Sequence, residues 1–163
     1  MHESLQRRPA GGQTALNRVI ERRLRASGWA SEPYLFSSEN PQHRRWKMDF
    51  LKDQVGVEVA FNHAEAVPWI FTRLNLAGES SEVMPSSRIR VGVAVFATEN
   101  LKTWARMDSA VGTFELAREW LRLMRPIMPL PILVVGMDSA GWASTYVFRG
   151  TRQGTRRVPE PPE

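Results

Sequence analysis

The stretch from Trp46 to His63 reads WKMDFLKDQVGVEVAFNH. Its second half alternates with a period of two. Val55, Val57, Val59 and Phe61 fall on one side, and Gly56, Glu58, Ala60 and Asn62 on the other. That alternation marks a β-strand. RWKMDFL before it also reads as a strand, and the short Lys52-Asp53-Gln54 link predicts an antiparallel hairpin. Lys47, Asp49 and Leu51 share one face of the first strand. Hairpin strands lie about 5 Å apart, so Asp49 and Glu58 converge if their faces agree.

Working outward, Leu16, Val19, Ile20 and Leu24 recur at helical spacing between Thr14 and Ser27, with Thr14 as N-cap and Gly28 as stop. A short strand is expected at Tyr34–Phe36. Beyond the hairpin, Pro68 opens a helix whose face is Trp69, Ile70, Leu74 and Ala77, with Gly78 ending it. IRVGVAVFA (Ile89–Ala97) is a nearly uncharged, central strand. TENLKTWARMDSAVG reads as a polar loop, and Thr113 caps a helix carrying Phe114, Ala117, Trp120, Leu121 and Met124. PILVVGM is a buried strand and STYVFRG a last edge strand. Trp69 and Trp120 are expected in the core. The fold class is α/β, a central mixed β-sheet flanked by helices on both faces. Residues 1–13 form an expected flexible arm, 14–150 a single domain, and 151–163 a basic, proline-rich tail.

The 163 residues suffice for one domain with a substantial core. No apolar run reaches the roughly 20 residues that span a bilayer, and no apolar signal segment stands at the N-terminus. There are no cysteines, which removes disulfides, a thiol nucleophile and cysteine-ligated zinc, and fits a cytoplasmic location. Net charge is +5, and arginine supplies 19 of the 22 basic residues. Arginine suits phosphate and guanine edges; GC-rich codon usage produces the same bias.

Two carboxylates facing each other across a hairpin repel unless protonated or bridged by a cation. Mg2+ is a natural bridge, because it takes hard oxygen ligands and few carboxylates; the carbonyl of Val59 can add a ligand. The bland reading is that Asp49 and Glu58 line the wet face of the hairpin. No cation on Glu58's own strand face is there to pair with it.

An acid in one strand, a short turn, and a second acid nine positions on in a VEV strand resembles the PD-(D/E)XK nuclease superfamily, with its αβββαβ core. Within it, DFLKDQVGVEVAFN looks most like the BglII/BamHI-type restriction endonucleases. The layout spans residues 14–137, and the specific residues lie within 46–62. The resemblance implies a restriction-endonuclease-like core and Mg2+-dependent hydrolysis of double-stranded DNA, with Asp49 and Glu58 holding the metal. It also implies a homodimer that cuts both strands, with the helix at 68–77 as candidate contact. Met48 replaces the usual proline before Asp49. Ala60 stands at the third active-site position, where lysine, glutamine or glutamate is usual. Either Asn62, Lys47 or Lys52 substitutes for it, or the site binds DNA and cleaves weakly, or alanine was introduced to silence it.

Other candidates carry two readings each. Glu21 is a supporting acid by resemblance, or an ion-pair partner of Arg18 or Arg25. His43, Arg44 and Arg45 contact phosphate, or form a solvated basic turn. His63 is a candidate base, or an ordinary polar residue at a helix start. Lys102, Trp104 and Arg106 read DNA by stacking and hydrogen bonds, or anchor their loop. Arg152, Arg156 and Arg157 track phosphates, or keep the tail soluble. The rival functions are a non-catalytic DNA-binding protein on a nuclease scaffold and an α/β interaction domain with no nucleic acid.

Overall fold

In the computed structural model, the structure describes residues 12–37 and 41–140. The N-terminal arm up to residue 11, the expected strand at 144–150 and the tail lie outside the described residues.

Helix α1 (Gln13–Ala26) starts before the expected cap, with Gly12 at the N-cap in place of Thr14. Its end matches the sequence reading. Gly28 takes the left-handed region at φ 81°, and two backbone bonds close the turn: Trp29 N–H to Leu24 C=O at 3.1 Å and Gly28 N–H to Arg25 C=O at 3.0 Å. This is the Schellman pattern.

Five strands follow: β1 (Ala30–Ser31), β2 (Phe50–Lys52), β3 (Val55–Ala60), β4 (Val91–Ala97) and β5 (Ile132–Met137). They lie in the order β1-β2-β3-β4-β5. β1, β2 and β3 pair antiparallel; β3, β4 and β5 pair parallel. The mixed sheet expected from the sequence is present. The strand expected at Tyr34–Phe36 is not: Tyr34 makes only an isolated bridge to Lys47, and the edge strand forms at Ala30–Ser31. The first hairpin strand is also shorter than RWKMDFL suggests.

Between β3 and β4 runs α2 (Val67–Glu79), and between β4 and β5 run α3 (Glu99–Trp104) and α4 (Phe114–Met124). Helix α3 lies in the segment expected to be a loop. Its six residues are too short to show a helical period, but Thr98 caps it, accepting the Leu101 N–H on Oγ1 at 3.1 Å. Gly78 does not end α2; it sits inside it, where a Cβ would lie 2.5 Å from Leu130 Cδ1.

The alternate faces of the sheet carry different helices. Ala60, Ala94 and Phe96 pack with Ile70, Phe71 and Leu74 of α2 and Ala117 of α4. Val59, Phe61, Ala97 and Met137 pack with Leu16 and Ile20 of α1 and Leu101 of α3. Trp69 and Trp120, expected in the core, are 64% and 37% exposed. Trp69 lies about 200° around the helix from the fully buried Phe71, so it turns outward. Among the described residues, no helix is long and apolar enough to cross a membrane.

Candidate active site

The hairpin register places the two acids. Asp53 and Gln54, at φ 47° and 64°, form a two-residue turn with both central residues left-handed. This is the type I′ geometry that matches strand twist. Pairing then runs Lys52↔Val55, Leu51↔Gly56 and Phe50↔Val57. Asp49 precedes Phe50 and Glu58 follows Val57, so the two acids lie just beyond the last paired residues, near enough for the Asp49 charge to act on Glu58. Gly56 leaves room for the Met48 side chain: a Cβ there would lie 2.2 Å from Met48 Sδ.

β2 stops at Phe50 because Asp49 replaces the ladder with its side chain. Asp49 Oδ2 accepts the Val59 N–H at 2.7 Å, and the Asp49 carbonyl accepts the Glu32 N–H at 2.9 Å. In an extended strand the N–H and C=O of one residue leave on the same edge. The Val59 carbonyl is therefore directed to the Asp49 edge as well.

Glu58 is 2% exposed. Burial pushes its carboxyl from the ordinary 4.5 up to about 8; the Asp49 charge adds to the rise, and the Arg73 guanidinium opposes it. Burial also raises Asp49, against the Val59 hydrogen bond and the Arg73 charge. Glu58 Oε1 is buried with no hydrogen-bond partner. Its contact with Arg73 Nε, at 3.4 Å, is a charge contact without hydrogen-bond alignment. An orphaned carboxylate oxygen beside a second carboxylate and a carbonyl edge fits a hard cation. Among the described residues, no three cysteine, acidic or imidazole side chains gather as a complete metal cage.

Above the hairpin lies a cavity of about 330 Å3. It gathers several of the candidates: Asp49, Glu58, Val59, Asn62 and Glu21 all line it, with Asn17, Glu32 and Arg73. Glu21 also makes the expected pair with Arg25, at 3.1 Å.

Ala60 does not line the cavity. It is 3% exposed among the apolar residues beneath α2. The lysines stand elsewhere. Lys47 Nζ bonds Glu32 Oε2 at 3.2 Å and lies over the Tyr34 ring. Lys52 Nζ donates to the Ser27 carbonyl at the end of α1, at 2.7 Å. Lys102 Nζ donates to the Val111 carbonyl at 2.9 Å, and Trp104 packs on the cluster under α3, so both anchor their own segment. Arg44 and Arg45 are exposed on a 3-10 turn, as is Arg106 after α3. His43 stacks at a tilt on Phe36, with ring centroids 5.2 Å apart, and His63 is exposed.

Arg73 is the residue the sequence reading missed. Glu58 does have a cationic partner, carried by α2 rather than by its own strand face. The signal was there: in VPWIFTRLNLAGE, Arg73 and Glu79 are the sole charges, and Arg73 follows the buried Ile70 by three positions.

No curated protein matches the sequence. Among solved structures, restriction endonuclease BglII complexed with a DNA 16-mer superposes with a TM-score of 0.64 at 17% identity, over 76% of this chain and 54% of that one. The chain thus spans about half the length of BglII and shares its fold. The model of the restriction endonuclease BglII/BglIII family matches residues 1–137. Those residues include the whole hairpin with its facing acids, and by that match the chain belongs to the BglII/BglIII restriction endonuclease family.

Proposed function

We propose that this chain is a metal-dependent endodeoxyribonuclease of restriction type, acting on double-stranded DNA as a homodimer. The observation that carries the reading is the Glu58 carboxyl, buried beside Asp49 in the cavity wall, with Oε1 held by the Arg73 charge but by no hydrogen bond. A surface ion pair does not explain its burial. A basic chain and a relative solved on DNA support the substrate.

Asp49, Glu58 and the Val59 carbonyl would hold Mg2+, which when bound polarises the scissile phosphate and lowers the pKa of a coordinated water. The chain's own groups do the positioning. The Val59 N–H fixes the Asp49 carboxylate through Oδ2. The apolar residues beneath α2 keep water away from Glu58 on its inner side. Asn62, exposed at the cavity wall, would orient a water or a phosphate oxygen through its amide. Glu21, on α1, extends the acidic wall.

The second reading, DNA binding without cleavage, rests on Ala60, whose side chain is buried and contributes nothing polar. Plasmid DNA with Mg2+ separates the two. The wild type is expected to linearise or nick it, and Asp49→Ala to lose at least about 100-fold in rate. Cleavage that persists in Asp49→Ala refutes the assigned site. Retarded but uncut DNA supports the second reading.

A further inference from the structure

We infer that Arg73 supplies the positive charge that position 60 lacks, donating from α2 to the phosphate of bound DNA. The inference rests on the nuclease reading above. The cavity wall carries Glu21, Glu32, Asp49 and Glu58, and among the described residues lining it Arg73 is the one cation. A phosphodiester entering such a cavity meets four acidic side chains. Its charge needs a fixed counter-charge from the protein as well as a metal. Ala60 cannot give one, having no polar atom and no exposure to the cavity.

Arg73 is built for exchange rather than for a permanent structural bond. Its Nε lies 3.4 Å from Glu58 Oε1, and its Nη1 donates to the Lys47 carbonyl at 3.4 Å. Charge-assisted bonds to an anion close to about 2.7–2.9 Å, so both contacts are long and replaceable. The side chain is 31% exposed, which leaves part of its donor fork facing the cavity. A guanidinium can hold a phosphate through two parallel bonds. The Lys47 carbonyl ties the head to the segment leading into Asp49, so the cation is indexed to the acids even though it arrives from a different element.

The test begins with phage DNA digested by the wild type in Mg2+, the fragment ends sequenced to define a target duplex. Wild type, Arg73→Lys and Arg73→Gln are then compared on that duplex by single-turnover cleavage. Binding is measured in Ca2+ across a KCl series. Arg73→Gln is expected to slow cleavage at saturating DNA by about 100-fold or more, and Arg73→Lys to recover at least about tenfold of that loss. The slope of log affinity against log salt is expected to flatten by about 0.9 in Arg73→Gln, the value of one lost phosphate contact, and to hold in Arg73→Lys. Equal rates in Arg73→Gln and the wild type overturn the inference, as does an unchanged salt slope or a lysine variant no better than glutamine. A wild type that cuts no DNA overturns the nuclease reading and this one with it.

Discussion

Glu58→Gln probes the buried acid without changing its shape. In the folded, metal-free chain the Glu58 carboxyl titrates near 8, against an ordinary 4.5 when unfolded. Below pH 4.5 both states hold the proton, and the raised value costs nothing. As pH rises from 4.5 to 8, the unfolded chain ionises while the folded chain retains its proton. Stability therefore falls, by about 1.4 kcal/mol per pH unit. Above about 8 the folded carboxyl ionises too and the loss levels off, at about 5 kcal/mol in all. Glutamine cannot ionise, so Glu58→Gln is expected to gain on the wild type by about 3 kcal/mol at neutral pH, with little difference near pH 5. The assay is urea unfolding followed by tryptophan fluorescence, in EDTA, from pH 5 to 8.5. Asp49 is raised in the same direction and its charge acts on Glu58, so the difference between the two proteins reports the pair, with the wild type the steeper. Parallel stability curves for the two proteins refute the reasoning.

Three further outcomes are expected. Gly56→Ala drives a methyl into Met48 and should destabilise by about 1–3 kcal/mol, an overpacking cost, read from the same urea curves; no change would mean that Met48 does not constrain the hairpin. Ala60→Lys buries an amine among apolar residues. It should cost several kcal/mol, about 2 at the least, without raising plasmid cleavage; a gain in cleavage would show that the side chain escapes to the cavity. Gln54→Gly relieves a left-handed glutamine in the turn and should raise stability by about 0.5–1 kcal/mol, seen as a higher Tm with cleavage unchanged.

The hairpin was legible because its information is local. Period-two alternation assigns the face of every residue from Val55 to Asn62. With the link read as Lys52-Asp53-Gln54, it left the convergence of Asp49 and Glu58 conditional, and the two-residue Asp53-Gln54 turn set the register. The helix end at Gly28 was legible for the same reason. What escaped was nonlocal or short. Trp69 was read as core because tryptophan is apolar, yet the direction of a helix stripe depends on which neighbours it meets, and α2 turns Ile70, Phe71 and Leu74 inward. Helix α3 has fewer than two turns and announced itself only by the Thr98 cap. Arg73 is 15 residues from Glu58 in sequence, on an element whose angle across the sheet no pattern in the chain specifies. Its role as the partner of Glu58 became visible once α2 was placed.

The orphaned oxygen of Glu58 has a consequence for how such a chain persists. Most domains hold only about 5–15 kcal/mol of net stability, and this carboxyl draws on that margin at neutral pH when no cation compensates it. Many replacements that preserve the shape would be easier to fold. A chain drifting as a mere scaffold would therefore be expected to shed Glu58 early, because mutation explores the site and nothing opposes the loss. Ala60 is inexpensive to keep and says little about selection. Glu58 is expensive to keep when no metal compensates it.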